Sequence, residues 1–108
     1  MINADQLRHD LDQAGQDWAD KKAAFNALDR ITKPVLADIL VGFMDSGLSR
    51  TESESRALSS SAYKGHLACV AVAEKAFLQA QVLWNNLQTY AELLRSEEST
   101  RRAEMAMR

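Results

Sequence analysis

Two stretches of this chain carry apolar residues at alternating spacings of three and four, the period at which a helix keeps one stripe against a partner along its whole length. In the second half the stripe runs Tyr63, His66, Val70, Ala73, Phe77, Ala80, Trp84, Leu87, Ala91 and Leu94, and only His66 is polar. The first half answers with Leu7, Leu11, Ala14, Trp18, Lys21, Phe25, Leu28, Thr32, Val35 and Ile39, broken at Lys21 and Thr32. Strands need a period of two, so the pattern predicts an all-α chain of few, long helices. One proline and four glycines in 108 residues leave little turn chemistry and agree with that.

The first helix is expected from about residue 4 to about 44, capped at Asn3, with Asp5 and Asp10 where the helix dipole favours negative charge. Pro34 lies inside this span, yet Val35 and Ile39 stay in phase with Phe25 and Leu28 across it, so one helix kinked between Arg30 and Pro34 is favoured over two. Ser46 and Gly47 supply a stop. Both Ser49 to Glu52 and Thr51 to Glu54 fit a capping box, predicting a short helical piece near 50–58 within a turn region of about 45–59. Ser59, Ser60 or Ser61 then caps a second long helix, about 60–102. Two such helices joined by this turn make a long antiparallel, coiled-coil-like hairpin and a single helical domain, with Trp18 near Trp84, Leu28 near Ala73 and Leu7 near Leu94.

A hairpin uses one stripe per helix, but Cys69, Ala76, Leu83 and Tyr90 flank the second stripe on one side and Leu67 on the other. Leu36, Leu40 and Phe43 make the same demand near the turn. Apolar surface of that extent marks an interface, so the chain is expected to assemble into an oligomeric bundle. The residues assigned to that assembly are Trp18, Phe25, Val70, Phe77, Leu83, Trp84, Leu87, Tyr90 and Leu94.

The formal charge of −2 exerts no global pull on nucleic acid, but the charge is uneven. Met1 to Asp20 carries −4, whereas Lys21 to Val35 carries +3. Folding the hairpin would gather basic groups at the turn end, so Lys21, Lys22, Arg30, Lys33, Arg56 and Lys64 are the candidates for phosphate contact. Lys21 also holds a stripe position in apolar company, where a polar residue fixes register or oligomeric state.

Trp18 and Trp84 suit base stacking in composition, but both fall on the stripe and are expected to fill the seam. His66 with Cys69 offers two ligands where zinc wants three or four, and the lone cysteine has no disulfide partner. His66 is therefore expected packed or hydrogen-bonded at a helix interface. No nucleophile beside a base, phosphate loop, paired carboxylates or H-E-x-x-H pattern is present, so neither an enzyme nor a cofactor is expected. Met1 to Asp20 holds five aspartates and no apolar run, and the longest apolar run, Leu67 to Ala73, falls far short of the roughly 20 residues that span a bilayer. A cytoplasmic protein with no membrane partner is the expectation.

The run from Ser53 to Arg102 contains S-E-S-R-A-L-S-S-S-A-Y-K-G-H-L and then A-E-K-A-F-L-Q-A-Q-V-L-W-N-N-L-Q-T-Y-A-E-L-L-R-S-E-E-S-T-R-R. Its heptad, preceded by S-E-x-[RK] and carrying W-x-x-L, resembles small helical proteins of tailed phages, some of which look like UvsY-type recombination mediators. The resemblance covers about half the chain. It implies an oligomeric, non-enzymatic accessory of DNA recombination or replication, acting in the host cytoplasm, that binds single-stranded DNA or its protein complexes. Secreted WXG-type hairpins are similar in length, but Trp84 stands mid-helix and the turn reads D-S-G-L-S. The alternatives are an adaptor or inhibitor of a host defence enzyme, docking through the apolar flank and the acidic first turns, or a structural scaffold component.

Overall fold

The computed structural model describes residues 3–107, and every element among them is helical: α1 Ala4–Arg30, α2 Thr32–Asp45, α3 Arg50–Ser59 and α4 Ser61–Ala106. The all-α reading holds.

Local chemistry explains each boundary. The Asn3 side chain accepts from the Asp5 amide at 2.9 Å and its carbonyl accepts from Leu7 at 3.0 Å, which satisfies amides that open α1. The first long helical stretch bends at Ile31, inside the Arg30 to Pro34 interval expected for the kink, where a φ of −89° and ψ of 1° interrupt the helical ladder and divide the stretch into α1 and α2. The break explains how Pro34 is tolerated. It places the ring in the first turn of α2, where a missing N–H costs nothing, and Val35 resumes the ladder by donating to the Ile31 carbonyl at 2.9 Å.

α2 ends in a Schellman arrangement. Leu48 donates to the Phe43 carbonyl and Gly47 to that of Met44, with Gly47 at φ +99°. Ser49 caps α3 by accepting from the Glu52 amide at 3.2 Å, so of the two capping boxes the chain uses the first. Ser60 then serves two helices. Its hydroxyl donates back to the Ala57 carbonyl at 2.7 Å and accepts from the Tyr63 amide at 3.2 Å, ending α3 and starting α4 with one residue. α4 runs on to Ala106, past the Arg102 boundary expected of it.

The residues sort into two compact units, one comprising the chain up to Asp20 and from Leu78 onward, the other Lys21–Phe77. In the first, Trp18 and Trp84 meet with ring centroids 5.0 Å apart, the pairing that the stripe register predicts, and Ala14, Ala80 and Ala91 are buried. Gly15 allows this approach: a Cβ there would stand 3.1 Å from the Trp84 indole Nε1. In the second, α2 packs on α3, Ser53 and Ala57 are fully buried one helical turn apart, and Phe25 stacks on Phe77 at 5.8 Å.

By length and composition alone, α4 is long and apolar enough to cross a membrane, and little of its most apolar stretch is covered by the rest of the chain. This departs from the sequence expectation because uninterrupted runs understate the helix: Glu74 and Lys75 are the only charged residues between Lys64 and Glu92.

Candidate functional site

The six basic candidates, Lys21, Lys22, Arg30, Lys33, Arg56 and Lys64, all belong to the Lys21–Phe77 unit and all are exposed. That unit holds eight lysines and arginines against six aspartates and glutamates, a net +2, whereas the remainder of the sequence carries −4. Lys21 and Lys22 each already have a partner within the fold. Arg56 lies in the last turn of α3, where the helix dipole favours a cation.

A polar link joins the segments that carry the remaining three. Thr32 at the start of α2 and His66 in α4 lie 2.9 Å apart through Oγ1 and Nε2. The Thr32 hydroxyl also donates to the Leu28 carbonyl at 3.3 Å. This fastens the segment bearing Arg30 and Lys33 beside the segment bearing Lys64. The sequence did not pair Thr32 with His66, although a signal was present: each is a polar residue standing where its stripe should be apolar.

A second feature of this unit is the groove of about 340 Å³ between α2 and α3. Leu36, Leu40, Ala57 and Leu58 form its floor, and Lys33 and Glu54 stand at its rim. Glu54 is held by Arg50 at 3.2 Å, an exposed i,i+4 pair of little energetic weight. Leu58 is 55% exposed and Val41 52%.

Of the residues assigned to assembly, the structure places four in ring pairs within the chain, Trp18 with Trp84 and Phe25 with Phe77. Val70, Leu87 and Leu94 are half-buried, whereas Leu83 and Tyr90 face outward. The two tryptophans thus meet each other in the seam, each half-buried. Grooves of about 670 and 520 Å³ flank this seam, the smaller lined by Asp10, Ala14, Asp17, Leu83 and Leu87.

Among the described residues no three histidine, cysteine, aspartate or glutamate side chains converge as a metal site would require, and Cys69 is an exposed free thiol. The described helices present exposed cationic groups and uncovered apolar residues. Comparison of the chain with protein-family models, curated proteins and solved structures finds no match.

Proposed function

We propose that this chain is a non-enzymatic, phage-type accessory protein of DNA recombination or replication, akin to UvsY-type mediators. In this reading it is an antiparallel helical hairpin that works as an oligomer in the host cytoplasm, and its Lys21–Phe77 unit contacts single-stranded DNA. The observation that carries the reading is the segregation of charge, because a net +2 unit bearing all six cationic candidates offers phosphates a local attraction that the chain's overall charge of −2 does not. Within the Lys21–Phe77 unit the antiparallel order has support, since Phe25 and then Thr32 meet Phe77 and then His66, and in the other unit Trp18 meets Trp84 as the same register requires.

Arg30, Lys33, Arg56 and Lys64 supply the phosphate contacts, without base-specific readout. Four such contacts to a single strand give a log–log salt slope of about −3. Anisotropy of a labelled oligo-dT, titrated at rising salt, tests this. Binding at low salt with that slope, lost on joint Arg30→Glu and Lys33→Glu substitution, is expected; an assembled protein that ignores the oligonucleotide at low salt refutes the DNA reading.

The α2–α3 groove favours a second reading, an adaptor or inhibitor that docks a protein segment bearing an apolar anchor. Leu58→Asp separates the two, since it should leave oligonucleotide binding intact and abolish docking of a protein partner.

A further inference from the structure

Along α4, Gln79, Leu83, Asn86, Tyr90 and Leu93 repeat the three–four spacing on a face that lies to one side of the seam with α1. All five belong to the unit that begins again at Leu78, and none of them is charged. The chain leaves this second stripe uncovered: Leu83 is 54% exposed, Tyr90 37% and Leu93 58%. We propose that its occupant is the same stripe of a second copy, so that the protein is a homodimer joined through α4. This deepens the self-assembly part of the function proposed above and holds whether or not DNA is bound.

The areas support a partner of that size. A folded monomer of 12.0 kDa exposes about 6,000 Å² on the usual mass scaling, and this chain exposes 8293 Å², an excess of about 2,300 Å². A stable dimer hides about 800 Å² on each partner. The interior tells the same story, since the buried side chains among the described residues are four alanines and Ser53. Among the described residues no large apolar side chain is buried, as at least some would be were the monomer the complete folding unit.

The chemistry of the face selects a second copy over a lipid surface. An uncharged stripe meets its own image without repulsion, as an isologous interface requires. Asn86 stands at its centre, and a carboxamide both donates and accepts, so it can pair with its counterpart across a twofold axis and fix the register. A membrane-surface helix needs a basic border. Here the groove beside Leu83 and Leu87 is bordered by Asp10 of α1 and by no lysine or arginine, an edge without the cations that an anionic bilayer would attract.

The test is light scattering coupled to size exclusion on the full chain, without DNA. The wild type should run at twice its 12.0 kDa chain mass. Joint Leu83→Arg and Leu93→Arg substitution should halve that mass with helical circular dichroism retained. Leu78→Arg, exposed on α4 away from the stripe, should leave it unchanged. As a check independent of those variants, Asn86→Cys in a Cys69→Ser background should give a covalent dimer on mild oxidation. A monomeric wild type, a dimer that survives the double substitution without forming the Asn86→Cys cross-link, or flotation of the protein with phosphatidylcholine or phosphatidylglycerol vesicles would each overturn the proposal. Because no DNA is present, loss of the dimer cannot be mistaken for failure of the DNA reading.

Discussion

The two units of this chain are built by different means from one helical vocabulary. The unit that pairs the beginning of α1 with the later part of α4 has no turn in it. Its cohesion comes from small residues that let helices approach, Ala14, Gly15, Ala80 and Ala91, around the Trp18–Trp84 pair. The Lys21–Phe77 unit contains the helix break, the Schellman stop, two serine caps and the Thr32–His66 link, and its fully buried residues are on α3. A seam of small residues buries little apolar area per residue, so it leaves Leu83 and Leu93 outward, whereas the capped unit satisfies its backbone locally and turns cations to the surface. The proposals above follow that division, with assembly on the seam unit and partner contact on the capped one.

The comparison breaks most sharply at Trp84. Its ring is half-buried against that of Trp18, so Trp84→Ala should cost about 3 kcal/mol, the low end for removing a large aromatic. The loss should be regional. Amide exchange should rise in α4 beyond Leu78 while the α3 amides around Ser53 and Ala57 keep their protection. Equal loss of protection in both regions would show that the two units unfold as one, and the distinction drawn between them would fail.

Ser60 sharpens the comparison from the other side, since the capped unit depends on single hydroxyls. One oxygen closes α3 and opens α4, so Ser60→Ala removes two hydrogen bonds and should cost about 1–2 kcal/mol in chemical denaturation. Gly47→Ala belongs to the same class and should cost about 1 kcal/mol, because only glycine adopts φ +99° without strain. Neither change should alter amide exchange around Trp84.

These caps are also why so much of the chain was legible before its structure. A cap is a contract between residues two to four apart, so Asn3, Ser49, Ser60 and Gly47 announce helix ends locally, and the three–four stripe places Trp18 opposite Trp84 because heptads keep register. What failed to show was whatever depends on a choice between remote alternatives. Pro34 marks a kink between Arg30 and itself, but that the ladder is interrupted at Ile31 within that interval depends on which carbonyls find other donors. Thr32 and His66 each register as a stripe defect, and only the fold makes one defect the partner of the other. The cationic candidates are least legible of all. An exposed lysine on a solvated helix face and one awaiting a phosphate have the same sequence, and it took the boundary at Lys21 and Phe77 to show that all six belong to one unit.

The smallest predicted effect has the opposite sign from the others. Ser53 is fully buried in α3, and its Oγ has no hydrogen-bond partner, although its amide donates normally to the Ser49 carbonyl at 2.8 Å. A buried hydroxyl without a partner costs about 1–3 kcal/mol, and alanine is also the better helix former, by roughly half a kcal/mol. Ala57, one turn further along the same helix and equally buried, shows that a methyl group fits this layer. Ser53→Ala should therefore stabilise the isolated protein by about 1 kcal/mol, read as a higher denaturation midpoint at unchanged slope. The α2–α3 groove lies beside this layer, with Ala57 and Leu58 in its floor. A substitution that stabilises the free chain yet weakens capture of a protein partner would mean that the hydroxyl finds its acceptor or donor only in the complex, and the capped unit would then hold a polar contact in reserve where the seam unit holds an apolar one.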